Sequence, residues 1–186
     1  MSIPVITRQF ATPRGAVRLA LSYGELALGL SGQAKPDPGT VRRLVFVCHG
    51  NICRSAYADV LARRAGARVA SFGLSTATGR EAHNPVVELA AERGVDMTAH
   101  RATDIDDFVP QEGDLMLAME TRHARLLATA PTVAHLPRML LGGFVNPPLP
   151  HLHDPYDEDE SYLPTCLTRI ERAVESLVRR FPSACA

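Results

Sequence analysis

The chain has 186 residues, of which 46% are hydrophobic and 22% charged, and its formal net charge at pH 7 is zero. This length suits a single domain with a full hydrophobic core. The charge balance, without any basic tract, argues against electrostatically driven binding to nucleic acid. Four cysteines without a signal-peptide pattern indicate a reducing, cytoplasmic setting rather than a disulfide scaffold.

Residues 1–40 differ in character from the rest of the chain. The apolar stretch at residues 13–30 is too short and too charged to span a membrane. Two glycines weaken a helix there, so the pattern predicts only a short helix at residues 16–28. Residues 31–40, rich in proline and glycine, are typical of a linker. We therefore expect an N-terminal extension over residues 1–40 and a catalytic domain over residues 41–186.

Three interpretations of the predicted helix at residues 16–28 remain open. It packs onto the domain, or onto a second copy of the chain in a homodimer. It binds a partner or a membrane interface. It is disordered. The amino-acid pattern does not separate these interpretations.

From residue 41 onward, predicted strands and helices alternate. The predicted strands are residues 44–47, 68–72, 114–119 and, more weakly, 133–136. The predicted helices are residues 55–65, with Ser55 as N-cap and Gly66 at the end, residues 85–93, with Asn84 as N-cap, and residues 121–128. A last helix is predicted because apolar residues recur at three- and four-residue steps from Leu163 to Phe181. This alternation predicts a four-stranded parallel sheet with helices on both faces, a single α/β domain.

The first predicted strand leads into the segment Cys48-His49-Gly50-Asn51-Ile52-Cys53-Arg54-Ser55. Gly50 and Asn51 tolerate left-handed backbone conformations, so the loop can curl and point several N–H groups inward. Such a ring of donors before a helix N-terminus binds anions, above all phosphate. The donors also favour an ionised thiolate at Cys48, a candidate nucleophile. Arg54 can bind two phosphoryl oxygens at once, so the segment predicts transfer of a phosphoryl group to sulfur.

Two other interpretations of this segment explain less. A buried structural cysteine before an ordinary turn does not account for Gly, Asn, Arg and Ser in that order. Metal ligation by Cys48 and Cys53 lacks a second cysteine pair at zinc-site spacing. We therefore expect neither a metal nor another cofactor.

The segment resembles the signature of the low-molecular-weight protein tyrosine phosphatases: a cysteine, five residues and Arg-Ser, with Gly-Asn-Ile-Cys inside and a strand in front. Ala56 stands where the family usually has proline. The resemblance, which covers roughly residues 43–181, implies that the N–H groups of residues 49–54 bind phosphate and that Ser55 stabilises the sulfur of Cys48. It also implies a reversible disulfide between Cys48 and Cys53 under oxidation.

A second chemical feature is the run His153-Asp154-Pro155-Tyr156. Pro155 disfavours helical backbone at Asp154, so the carboxyl group can project from an extended loop. A phenol is a poor leaving group because its pKa is about 10, and protonation of its oxygen typically gains about 10²–10⁴-fold in rate. The local alternative is a turn aspartate within the acidic run that ends at Glu160. The resemblance assigns Asp154 as general acid and places Tyr156 beside the substrate.

The resemblance also bears on support of the loop and on substrate choice. It implies that Ser71 belongs to the hydrogen-bond network that holds Asn51. Relatives often wall the pocket with an aromatic residue from the loop that corresponds to residues 73–84, and this chain has none there. His49 stands where relatives often have a small or aliphatic residue, and a histidine at the pocket mouth would make activity sensitive to pH.

These features predict a protein tyrosine phosphatase that acts on tyrosine-phosphorylated proteins through a phosphocysteine. A thioredoxin-coupled arsenate reductase would need resolving cysteines, and the chain has none between Cys53 and Cys166. Arginine phosphatases of the same family tend to have threonine in place of Ile52. A catalytically weak phosphate-binding or interaction protein would not need nucleophile, guanidinium and acid together.

Overall fold

A computed structural model describes residues 8–29, 32–156 and 160–185. Residues 1–7 and 30–31 of the predicted extension lie outside this description, as do residues 157–159 of the acidic run and the final residue. Within the described ranges, no helix has the length and apolar character needed to cross a membrane.

The core of the protein is a parallel sheet of four strands in the order β2-β1-β3-β4. These strands are β1 Arg43–Cys48, β2 Val69–Gly73, β3 Asp114–Ala118 and β4 Arg138–Leu140. In the register, Cys48 lies opposite Gly73 and Val47 lies opposite Ala118. The carboxyl ends of the three longer strands therefore meet at one edge of the sheet, where ligands bind in open α/β folds.

Helices cover both faces of this sheet. They are α1 Pro13–Ala27, α2 Arg54–Arg64, α3 Asn84–Glu92, α4 Thr121–Thr129 and α5 Leu163–Arg180. Alternate residues of β1 face opposite sides: Leu44 and Phe46 pack in the cluster that includes residues of α2, α3 and α5, and Val45 and Val47 pack in the cluster that includes residues of α4. This two-sided burial confirms the predicted architecture.

The prediction of a fourth strand at residues 133–136 is wrong. Those residues form turns, closed by hydrogen bonds from Val133 N to Ala130 O and from Leu136 N to Val133 O. Val133 and Leu136 are apolar because they fill the α4 side of the core. The strand that pairs with β3 is β4, opposite Met116, Leu117 and Ala118.

Two predicted helix caps are also wrong. Helix α2 begins at Arg54, and the N-cap position belongs to Cys53. Ser55 lies inside the first turn, where its hydroxyl contacts the loop rather than capping the helix. Asn84 is likewise the first residue of α3, with His83 in the N-cap position.

The described part of the extension packs onto the rest of the chain. In α1, Ser22 is buried with its Oγ 3.4 Å from Thr121 Oγ1, and Glu25 forms an ion pair of 2.6 Å with Arg125. The following segment continues along β4, because Ala34 N donates to Arg138 O at 2.8 Å. Of the three interpretations left open by the sequence, these contacts correspond to packing onto the domain.

Candidate active site

The loop between β1 and α2 turns its carbonyl groups outward. Four of these oxygens accept hydrogen bonds from outside the loop: Cys48 O from Leu74 N, His49 O from Ser75 N, Asn51 O at 2.8 Å from His100 Nε2, and Ile52 O from His83 N. Because N–H and C=O point in opposite directions across a trans peptide, the N–H groups of the next residues turn inward. These N–H groups belong to His49, Gly50, Ile52 and Cys53. The hydrogen bonds to the carbonyl oxygens therefore orient these four N–H groups toward the interior of the loop.

The curl of this loop depends on two backbone features. Asn51 adopts a left-handed conformation with φ of +50°, which asparagine tolerates better than most residues. Gly73, the last residue of β2, lies so close to the loop that a Cβ atom there would stand 2.8 Å from His49 O. Only glycine permits this close approach of the two backbones.

A buried hydrogen-bond chain leads to the sulfur of Cys48. Asn51 Nδ2 donates to Ser55 Oγ at 2.8 Å, and Ser55 Oγ lies 3.0 Å from Cys48 Sγ. Since the hydroxyl already accepts from Asn51, its single proton is available for the sulfur. The N–H of Asn51 adds a second contact to Sγ at 3.3 Å. The sulfur of Cys48 thus faces two hydrogen-bond donors, one from a side chain and one from the backbone.

Asn51 is held by Thr103 and His100, not by the predicted partner Ser71. Its Oδ1 accepts from Thr103 N at 2.9 Å, and His100 bonds to its carbonyl oxygen. Among the described residues, no hydrogen bond joins Asn51 to Ser71. Ser71 lies opposite Phe46 in the sheet, two residues behind Cys48, and at about 3.3 Å per residue it falls roughly 7 Å short of the loop.

Arg54 is fully buried and connects distant parts of the chain. Its Nη1 donates to Glu120 Oε1 at 2.5 Å and to Leu152 O at 2.7 Å, and its Nη2 donates to the carboxylate of Asp154. Burial opposes the charge, but the carboxylates of Asp154 and Glu120 outweigh it and raise the pKa of Arg54. Its Nε has no hydrogen-bond partner in the described part of the chain, a donor that a phosphate oxygen would satisfy.

Glu120 is a site residue that the sequence reasoning missed. It follows β3, takes the N-cap position of α4 and is buried. Besides Arg54, its carboxylate meets Arg122 Nε at 2.7 Å and His151 Nδ1 at 3.6 Å. Burial favours its neutral form, but Arg54, His123 and His151 together lower the pKa of Glu120 well below its ordinary value. A carboxylate directly after a buried strand was the signal that could have identified it.

Asp154 and Cys48 line the same small cavity. It has a volume of about 100 Å³, and its lining also includes His49, Gly50, Ile52, Cys53, Ser75, Arg80 and Tyr156. The backbone before Asp154 is fixed to the sheet by a hydrogen bond of 3.0 Å from Leu152 N to Met119 O. The nucleophile and the acid predicted from the sequence therefore face one pocket.

The ring of Tyr156 lies at the mouth of this pocket, beside basic side chains. Tyr156 is partly exposed, its ring centroid lies 4.9 Å from that of His83, and the Arg80 guanidinium lies 5.9 Å from its ring centroid. The loop at residues 73–84 thus contributes Arg80 where an aromatic residue was sought. His49 lines the cavity and is exposed.

The cysteines and histidines of the site form no metal centre among the described residues, since no group of three or more metal-binding side chains is found there. His151 and His153 instead bond to one another, Nε2 to Nδ1, at 3.2 Å. Cys53 is a free thiol. Burial, then the charges of Asp154 and Cys48, raise the pKa of Cys53 above its usual value.

Known proteins match this chain in sequence and in fold. The family described as low molecular weight phosphotyrosine protein phosphatase matches residues 43–184. The low molecular weight protein-tyrosine-phosphatase Etp of Escherichia coli K12 is 30% identical over 140 residues, which cover 74% of this chain and 93% of the relative.

Two solved structures show the same likeness. The tyrosine phosphatase AmsI of Erwinia amylovora superposes with a TM-score of 0.64 and 29% identity over 75% of this chain and 92% of its own. The YwlE arginine phosphatase of Geobacillus stearothermophilus has a TM-score of 0.65 and 25% identity, over 76% and 94% of the two chains. Residues 1–42 lie outside the family match.

Proposed function

The chain belongs to the low molecular weight phosphotyrosine protein phosphatase family and is a protein tyrosine phosphatase, and we propose that it acts through a phosphocysteine formed on Cys48. The observation that carries this mechanism is that the thiol of Cys48, the guanidinium of Arg54 and the carboxylate of Asp154 lie together. Arg54 lies at the start of the helix that follows the Cys48 loop, and it bonds to Asp154, 100 positions later. Residues 41–186 form the catalytic domain in this proposal, and residues 1–40 its extension.

Binding of the phosphate comes first. The inward N–H groups of residues 49–54 and the Arg54 guanidinium bind the non-bridging oxygens of the dianion, and Nε of Arg54 gains the partner it lacks. Because these donors are already in place, they stabilise the charge that develops on the equatorial oxygens without reorganisation. This preorganisation supplies most of the rate enhancement.

The chemistry then proceeds in two displacements. The Cys48 thiolate attacks phosphorus, an S–P bond forms, and the P–O bond to the tyrosine oxygen breaks as Asp154 gives that oxygen its proton. In the second displacement Asp154 takes a proton from water, whose oxygen attacks phosphorus. The thiolate leaves, stabilised by the hydroxyl of Ser55.

Tyrosine is the residue that the pocket mouth suits best. A flat phenyl ring can lie against Tyr156, and the Arg80 guanidinium beside that ring offers a cation–π contact to a second aromatic group. Four free cysteines among the described residues support a cytoplasmic location. Exposed apolar side chains support a homodimer through the extension: Val17 and Leu21 on α1, and Leu28 directly after it.

The test compares the wild-type protein with Cys48→Ser and Asp154→Ala, without added metal, on aryl phosphates and on peptides with phosphotyrosine, phosphoserine or phosphoarginine. We expect no measurable turnover by Cys48→Ser, and an acid-trapped phosphoenzyme in the wild type but not in Cys48→Ser. For Asp154→Ala, kcat/KM, which reports the first displacement, should fall about 10²–10³-fold when the leaving phenol is poor and far less when it is a nitrophenol. Equal slowing on every phenol would reject Asp154 as the acid. Hydrolysis of the phosphoarginine peptide faster than that of the phosphotyrosine peptide would reject phosphotyrosine as the substrate.

A further inference from the structure

Helix α1 lies directly on the segment that carries Asp154. A Cβ atom built on Gly15 would stand 3.4 Å from Cγ of His153, so the backbone of α1 closes over that imidazole. Further along the helix, the hydroxyl of Tyr23 donates to Pro148 O at 2.5 Å. The extension therefore touches residues 148–153 at both ends.

The buried side chains of this segment lie between the domain and α1. Leu152 is fully buried in the domain core, where its backbone bonds to Arg54 and Met119. His151 and His153, one position before and after it, are also buried. Gly15 of α1 lies against His153, and Arg18 and Ser22 of α1 line the same cleft as His151, so α1 covers part of these two imidazoles.

A continuous series of contacts connects α1 to the phosphate-binding guanidinium. Gly15 meets His153, His153 bonds to His151, His151 lies 3.6 Å from Glu120, and Glu120 bonds to Arg54. The cleft beside this series, about 270 Å³ in volume, lies between α1 and α4 and is lined in part by Arg18, Ser22, Glu120 and His151. The extension thus reaches the catalytic machinery without touching the pocket.

Helix α1 has its own attachment to a rigid part of the domain. Ser22 is buried against Thr121, and Glu25 pairs with Arg125; both partners belong to α4. Hydrogen bonds from Thr121 and Arg125 lower the pKa of Glu25 and keep it ionised. Helix α1 can therefore transmit a fixed position from α4 to residues 148–153.

We infer that α1 is a positioning element that holds the segment from Pro148 to His153 so that Asp154 stands at the correct distance from the leaving oxygen. The inference rests on the proposed role of Asp154 as general acid. It assigns a task to the part of the chain that the family match leaves out. Loosening α1 should reproduce, in milder form, the loss of Asp154.

The test uses the full chain with Ser22→Arg, which forces a large side chain into a buried contact and pushes α1 away from α4. Its control is Ala20→Arg, the addition of the same side chain at an exposed position of the same helix. The ratio kcat/KM, which reports the first displacement and not the hydrolysis of the phosphocysteine, is measured on aryl phosphates whose phenols range from acidic to ordinary. We expect Ser22→Arg to lower kcat/KM about tenfold on the poorest leaving phenol, a fraction of the general-acid contribution, and less than twofold on nitrophenyl phosphate. Ala20→Arg should match the wild type.

A charge swap covers the case in which Ser22→Arg fails to fold. Glu25→Arg places two guanidinium groups together, and Glu25→Arg with Arg125→Glu restores an opposite pair. The single change should make the rate depend more steeply on the pKa of the leaving phenol. The double change should return this dependence to that of the wild type. The inference would be overturned if the single change slowed the reaction equally on all phenols. It would also be overturned if the double change left the steeper dependence on the leaving phenol in place.

Combination with Asp154→Ala separates this inference from the proposed function. If α1 acts through Asp154, the Glu25→Arg change adds no further slowing once Asp154 is gone. Additive slowing would show that α1 acts elsewhere. If Asp154→Ala by itself shows no dependence on the leaving phenol, the proposed acid fails, and the positioning role falls with it.

Discussion

The two halves of the active site are built in different ways. The phosphate-binding half is contiguous: Cys48 and Ser55, in direct contact, are seven positions apart. The proton-transfer half is assembled from afar, because Glu120, Leu152 and Asp154 bond to Arg54 across 66, 98 and 100 positions. The contiguous half depends mainly on backbone geometry, so it tolerates change in the surrounding domain. The assembled half depends on how helices pack, so distant substitutions can reach it.

The phosphate-binding half is not independent of the rest of the chain. The carbonyl groups of the contiguous loop are held by residues outside it, among them Ser75, His83 and His100. These partners orient the peptide groups, but most of them act through backbone N–H groups that many side chains would provide. The assembled half relies instead on particular charged side chains.

Arg54 joins the two halves, so its replacement should have the largest effect. In Arg54→Lys a single ammonium group cannot bond to Glu120 and to phosphate in the planar geometry of a guanidinium. We expect kcat/KM for an aryl phosphate to fall about 10²–10³-fold. Arg63→Lys, an exposed change in the same helix, should have no effect. A fall in kcat/KM of less than tenfold for Arg54→Lys would mean that the two halves work without the planar guanidinium.

Glu120→Gln tests the assembled half alone. It leaves a buried guanidinium with one fewer opposite charge, which should cost about 2–4 kcal/mol of unfolding free energy and about 10–100-fold in kcat/KM. Urea denaturation and steady-state kinetics measure the two effects. Glu175→Gln breaks an exposed pair with Arg179 and should cost about 0.5 kcal/mol or less. Loss of stability with unchanged kinetics would show that Glu120 supports the fold and not the position of Arg54.

Ser55→Ala tests the contiguous half. It removes one hydrogen bond to the sulfur of Cys48, worth roughly 1.5 kcal/mol or about tenfold. Because the thiolate is then a poorer leaving group, dephosphorylation should slow and phosphoenzyme should accumulate in a burst experiment. Ser176→Ala, in α5 and outside the cavity lining, is the control. An unchanged burst would exclude a role for the hydroxyl in breakdown of the intermediate.

The last prediction concerns the stability of the protein in acid. Burial lowers the pKa of His123 to about 3 and that of His151 to about 4, whereas the unfolded chain protonates histidine near 6.5. Between those values the unfolded state binds more protons, so stability is full above pH 6.5 and falls as the pH drops. Each imidazole should cost roughly 1–2 kcal/mol at pH 5.

The measurement is the urea midpoint at pH 7.5 and at pH 5, for the wild type, His123→Gln and His135→Gln. His123→Gln should reduce the difference between the two pH values, whereas His135→Gln, at an exposed position, should leave it unchanged. Glu120 does not blur this comparison, because its lowered pKa keeps it ionised throughout the range. Equal pH dependence in all three proteins would show that His123 is solvated.

The sequence by itself determined the contiguous half and the frame that presents it. Strand β1, the loop and the start of α2 could be predicted because glycine, asparagine and serine preferences act over neighbouring residues. The periodic apolar residues of α5 and the buried strands β1 and β3 were recognisable for the same reason: hydrophobic period reflects local geometry. Asp154 was recognisable only through its resemblance to a known arrangement.

Only the tertiary structure decided which residues complete the site. It brought Glu120 to Arg54, assigned the support of Asn51 to Thr103 and His100, moved the fourth strand to β4 and placed α1 over His153. Each of these contacts joins segments far apart in the chain. A local pattern records which backbone shapes a segment prefers. The partner across a core depends on how whole helices and strands pack, and that packing is a property of the entire chain.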